Sequence, residues 1–215
     1  MSTSDSRYYQ LALLWLRDRQ KFGRYVELVA PIVRPYGAGL ACQFLPTTIY
    51  AEGMERPDVV NLVYYGSHAA YDAFTRDPAF KEIVHLRSES IAMASVEGPL
   101  AGTFTAGDRP EQRLYVIELA RLGRGGQEAY QAYENEAEPV MKRYGYQVSC
   151  VMRPNGSSGL SFSPDLVKIA SFTSAADLER MHEDPAHSRI EKVLYPEAVA
   201  ESVWLVANAA PRTAA

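Results

Sequence analysis

The chain has 215 residues, 47% of them hydrophobic and 22% charged, which is the balance of an ordinary globular protein and not of a disordered one. Its formal net charge is −4 and its Lys and Arg residues are scattered, so no basic stripe offers itself to a phosphate backbone and nucleic acid is not an expected partner. The longest apolar run, Leu11 to Leu16, is far short of a bilayer span, the polar start Met1 to Arg7 lacks a signal-peptide core, and two cysteines make no disulfide framework; the expectation is a cytoplasmic protein with no membrane contact.

Tyr8 to Leu16 is apolar and rich in strand formers. Asp18 then offers a helix N-cap, because its carboxylate can accept the free N–H groups of a first turn. Phe22, Tyr25, Val26, Val29 and Val33 follow at helical spacing, and Tyr36-Gly37 ends that helix with glycine at the left-handed cap. Leu40 to Leu45 and Val59 to Tyr65 read as strands. Ser67 caps a short helix through Phe74, Asp77-Pro78 starts another with Pro at its first position, and Ile91 to Val96 is a closing strand. Residues 98–112, rich in Gly, Pro, Thr and Ala, read as a linker. The order then recurs: a strand over Leu114 to Ala120, a helix over Gln127 to Arg143, strands at Gln147 to Met152 and Leu166 to Phe172, helices over Ser174 to Met181 and Pro185 to Tyr195, and a strand over Glu201 to Val206.

The recurrence is also literal. Pro31, Tyr36, Gly37 and Cys42 reappear as Pro139, Tyr144, Gly145 and Cys150 at an offset of 108, with Tyr25 and Tyr133 on the same offset. Pro57-Asp58, Ser67 and Asp77-Pro78-Ala79 reappear as Pro164-Asp165, Ser174 and Asp184-Pro185-Ala186 at 107. We therefore expect an α+β protein of two tandem ferredoxin-like βαββαβ repeats, residues 1–97 and 113–208, with a short tail at 209–215. Their strands are apolar at both parities, so both sheet faces are covered. Pairing the repeats sheet to sheet would close an α+β barrel within one chain, giving a monomer with an internal pseudo-dimer or a homodimer of such chains.

Tyr25, Pro31, Tyr36-Gly37, Glu52-Gly53, Pro57-Asp58-Val59-Val60, Asp77-Pro78-Ala79-Phe80, Arg87 and Val96-Glu97-Gly98 together resemble the dimeric α+β-barrel superfamily, and within it the bacterial domain family of unknown function thirteen-thirty. The second repeat resembles it more loosely, lacking the Glu-Gly pair and an equivalent of Arg87. The superfamily includes antibiotic-biosynthesis monooxygenases, polyketide cyclases, haem-degrading enzymes and chlorite dismutases. The resemblance implies a small-molecule pocket between helices and sheet in each repeat, often working without an organic cofactor. Fusion would let the two pockets diverge.

Candidate chemistry follows from what the repeats do not share. His187 aligns with Phe80 and, with His182, flanks Asp184-Pro185; an imidazole there suits a general base, and a surface turn is the alternative. Their five-residue spacing across a proline does not suit a metal, and no metal or other cofactor is expected. Glu118 and Lys168 stand inside strands where the first repeat has Ala12 and Asn61, so they could pair and orient or protonate a substrate, or meet at a wet barrel rim. Tyr195, Tyr133, Tyr25, Tyr65, Arg87 and His85 are candidate substrate contacts, with His85 also the candidate for a haem iron. Cys42 and Cys150 read as packing residues, and Gly123 to Gly126 as a turn lacking the residues of a phosphate loop. The expected function is a cofactor-independent cyclase, isomerase or lyase of bacterial secondary metabolism; the alternatives are a non-catalytic ligand-binding or stress-associated barrel, and a haem-binding or oxygen-using enzyme.

Overall fold

A computed structural model describes residues 7–101, 104 and 112–211. The first repeat runs β1 (Tyr8–Leu16), α1 (Arg19–Val33), β2 (Gly39–Tyr50), β3 (Val59–Tyr65), α2 (His68–Arg76), α3 (Pro78–Ser90) and β4 (Ile91–Gly98), followed by a two-residue strand β5 (Leu100–Ala101). The second runs β6 (Leu114–Leu122), α4 (Gly126–Lys142), β7 (Gln147–Met152), β8 (Gly156–Ser158), β9 (Leu166–Phe172), α5 (Ala175–Glu183), α6 (Pro185–Ala198) and β10 (Val199–Ala209). Most of the expected linker lies outside the described residues. The part that is described is structured, because β5 pairs with β7. The expected tail is also partly strand, since β10 runs to Ala209 and the Ala210 N–H donates to the Gln43 carbonyl.

The helix ends form where the side chains provide for them. Asp18 accepts from the Lys21 N–H at 2.9 Å, Asp77 from Ala79 and Phe80, and Asp184 from Ala186 at 2.7 Å, each satisfying donors that a first turn leaves free. Gly37 and Gly145 take φ of +66° and +73°, the left-handed conformation that turns the chain out of each long helix into the next strand.

All strands are antiparallel, in the order β5-β7-β9-β6-β10-β2-β3-β1-β4-β8. Each repeat contributes its second, third, first and fourth long strands in that spatial order, as a ferredoxin-like sheet does. At one seam β10 pairs with the end of β2 (Trp204 opposite Tyr50, Ala209 opposite Phe44). At the other, the β4–β5 ribbon pairs with the β7–β8 ribbon: Ser95 is opposite Ser158 and Leu100 opposite Met152. The two ends of the strand order are thus continuations of the same two ribbons, and the sheet closes on itself. This is the fused α+β barrel expected from the repeat. The Gly/Ser-rich strand β8 had no strand signal of its own and exists because β4 offers it a partner.

Parity sorts the strand residues. Tyr9, Leu11, Leu13, Tyr115, Ile117 and Leu119 point into the barrel and meet at its centre, none more than 1% exposed. Tyr8, Ala12, Leu14, Leu114, Val116 and Ala120 point outward under the helices. Burying each such Leu or Ile contributes about 1.5–3 kcal/mol, which explains why both parities are apolar.

Candidate functional site

The helix-covered layers of the two repeats have diverged. In the first, Tyr8, Tyr25, Tyr65, Phe74 and Phe80 pack ring on ring, with Tyr71 against them. In the second, the residues standing for Tyr71, Phe74 and Phe80 are Leu178, Met181 and His187. Smaller or more pliable groups replace three rings, and a cavity of about 370 Å³ opens there. Leu178, Met181 and Phe172 line it beside Glu118, Tyr133, Tyr146, Lys168, His187 and Trp204. Tyr50, from the first repeat, closes one side. It is paired with Trp204 across the barrel seam; Ser95 and Ser158 take the corresponding places at the other seam.

Glu118 and Lys168 occupy the same register position on β6 and β9, both on the helix-facing parity. Lys168 Nζ lies 3.0 Å from Glu118 Oε2 and 2.8 Å from Glu134 Oε1. Glu134 reaches the site because it shares the sheet-facing stripe of α4 with Tyr130, Tyr133, Ala137 and Met141. Glu118 also accepts from the Tyr130 hydroxyl at 2.9 Å and the Tyr195 hydroxyl at 3.0 Å, and Trp204 Nε1 donates to the Tyr195 oxygen at 2.8 Å. Glu118 is 0% and Lys168 4% exposed, so each charge has left water, at a cost of several kcal/mol apiece. Burial alone would drive the ammonium toward losing its proton. Glu118 opposes that most strongly, with Tyr146, Tyr130 and Glu134 adding to it, and the Lys168 pKa stands well above its ordinary value.

His187 and Tyr146 complete the lining. Burial lowers the His187 pKa below the ordinary 6.5, with His182 lowering it further and Glu191 and Asp184 pulling it back up. Its nearest anion is Glu191 Oε2, 3.9 Å from Nδ1. Burial pushes the Tyr146 phenol up to about 12, although Lys168 favours its ionised form. Among the described residues, His187 Nδ1 and the Tyr146 hydroxyl are the buried side-chain polar atoms that lack a hydrogen-bond partner. Each such orphan costs about 1–3 kcal/mol, and both belong to residues of the same cavity.

Of the candidates read from the sequence, His187, Glu118, Lys168 and Tyr133 line this cavity, His182 stands at its exposed edge, and Tyr195 supports Glu118. Tyr25 and Tyr65 lie instead in the filled aromatic layer of the first repeat. Arg87 lays its guanidinium over the Phe80 ring, 5.6 Å from its centre, and lowers the burial-raised pKa of Tyr25. His85 is exposed on α3, remote from the second-repeat cavity. These four do not converge with the others because the first repeat spends the equivalent space on rings. Glu134, Tyr146, Tyr130 and Trp204 were not anticipated. Glu134 and Tyr146 carried a signal, since they replace Val26 and Ala38 of the first repeat.

No group of three His, Cys, Asp or Glu is arranged to hold a metal ion among the described residues. Haem does not suit the cavity either: Lys168, the one Lys or Arg of its lining among the described residues, is already shared between two carboxylates and leaves no cation for the propionates. No helix among the described residues is long and apolar enough to cross a membrane.

Residues 7–98, the first repeat, match the family model of the domain of unknown function DUF1330. No curated protein matches the chain in sequence. Solved structures share the fold over nearly the whole chain. An anthrone oxidase-like protein is 13% identical with a TM-score of 0.62, covering 98% of this chain and 94% of its own. A mutant chlorite dismutase from Candidatus Nitrospira defluvii is also 13% identical, with a TM-score of 0.61, covering 97% and 93%. The protein therefore has the dimeric α+β-barrel fold, built from one chain, and likeness at this level of identity carries the fold alone.

Proposed function

We propose that the second-repeat cavity binds a small, largely apolar molecule and performs cofactor-independent acid/base chemistry on it, of the cyclase, isomerase or lyase kind. The observation that carries this reading is the coincidence of two orphaned buried polar groups, His187 and Tyr146, with a buried ammonium in one apolar cavity. A histidine kept neutral by burial, with a ring nitrogen free of partners, is suited to take a proton from a C–H or O–H group. The Tyr146 hydroxyl, with Lys168 behind it, is suited to donate to the ligand oxygen on which charge then develops. Glu118 would hold Lys168 in place, and Tyr133 and Trp204 would flank a flat ligand. His182, at the edge, is placed to exchange the proton with water.

We propose a cytoplasmic setting for this activity, where a thiol such as that of Cys150 stays reduced. Bacterial secondary metabolism is a fitting setting, given the likeness to an anthrone oxidase-like protein. A thermal-shift panel of small aromatic hydroxy-ketones tests the binding half. Some members should raise the unfolding midpoint of the wild type and none that of Met181→Phe, which refills the cavity with the first repeat's residue. A panel that shifts both proteins alike, or neither, sinks the reading. Binding that gives no product and is unaffected by His187→Gln would leave a ligand carrier instead of an enzyme.

A further inference from the structure

Lys168 is the one Lys or Arg side chain that lines the cavity among the described residues, and it is not available to a ligand's charge. Glu118 and Glu134 lie 3.0 and 2.8 Å from its Nζ, so the triad carries one more carboxylate than ammonium. Glu134 stands behind Lys168, outside the lining itself, and Glu191, a half-exposed lining residue, adds a weaker, partly screened negative charge near His187. In such a poorly solvated space a fixed excess of negative charge repels an incoming anion strongly.

We propose that the cavity selects uncharged ligands over carboxylates, and that Glu134 is the residue that sets this selection. The inference rests on the reading of the cavity as a binding site. Glu134 is the natural determinant for three reasons. It sits on α4 and not on the sheet, so it can be changed without disturbing strand pairing. It is the more exposed of the two carboxylates, at 14% against 0% for Glu118. The first repeat places Val26 at the equivalent helix position, so the backbone there accepts a neutral side chain. The class of ligand that follows is a neutral phenol or ketone whose oxygen accepts from Tyr146, in keeping with a proton that passes to His187 without changing the total charge of the occupied cavity.

Isothermal titration of the whole chain at pH 7 with 1-naphthol and 1-naphthoate, two ring systems of one shape and different charge, tests this. The wild type should bind naphthol at least about tenfold more tightly than naphthoate, one unscreened charge being easily worth that factor. Glu134→Gln should leave naphthol affinity nearly unchanged and gain about tenfold for naphthoate, because half of the neutralisation of Lys168 is removed. Glu134→Val, matching Val26, should behave alike. If naphthoate binds the wild type as well as naphthol, or if neither variant gains for naphthoate, charge selection by Glu134 is wrong although the cavity is a binding site. If neither probe binds any of the proteins, the binding-site reading falls and the proposal with it.

Discussion

Glu118 and Lys168 stand directly opposite one another on neighbouring strands, carboxylate and ammonium 3.0 Å apart, in the one repeat where the same positions are not Ala and Asn. A buried pair of this kind is weak evidence for stability, since desolvation offsets the attraction, but breaking it from one side is costly. Lys168→Met should destabilise the fold by about 3–5 kcal/mol, because Glu118 and Glu134 would be left facing each other without a cation. Adding Glu118→Gln should recover part of the loss. Urea denaturation of the single and double variants measures both, and a loss for Lys168→Met below about 1 kcal/mol would mean that the triad is solvated in solution.

His187 gives the stability a pH dependence of known sign. Its folded pKa lies below the ordinary 6.5, for which burial is the main cause. The unfolded chain therefore binds this proton at a pH where the folded chain does not. The contribution of the neutral imidazole is complete above about pH 6.5 and is lost as the pH falls toward the folded pKa. His187→Phe, the residue the first repeat uses, removes the effect. Wild-type stability should fall relative to the variant between pH 7.5 and pH 5, on the order of one group's titration. A difference that stays flat across this range would show that His187 titrates alike in both states.

Gly98 tests the closure of the barrel. A Cβ built there would lie 2.6 Å from the Arg153 carbonyl oxygen and 3.0 Å from the Pro154 Cα, both backbone of the short link between β7 and β8 at the second seam. Gly98→Ala should cost about 1–3 kcal/mol, the usual penalty of forcing extra volume into a packed contact. We propose that the two repeats unfold as one unit, since each completes the other's sheet. The variant should then melt in a single transition lowered as a whole, with a midpoint independent of protein concentration, as expected when barrel closure needs no second chain. Two separate transitions, with only one displaced, would show that the repeats are independently stable.

Much of this architecture was legible in the chain because its causes are local. The caps Asp18, Asp77 and Asp184, the αL glycines Gly37 and Gly145, and the alternation in Tyr8–Leu16 act over a few residues. Their recurrence in register announced two copies of one unit. The same alternation made Glu118 and Lys168 candidates for one pair, because adjacent first and third strands and a shared parity leave them little else to face. It could not show that Glu134, Tyr130 and Tyr195 converge on that pair from two helices, nor that Trp204 meets Tyr50 of the other repeat across a seam. The cavity itself is a remainder: the space left when Leu178, Met181 and His187 stand where Tyr71, Phe74 and Phe80 fill the first repeat. Such a volume depends on how side chains from both repeats pack at once. Periodicity along the chain therefore determined the barrel, and only three-dimensional packing decided which half of it is open.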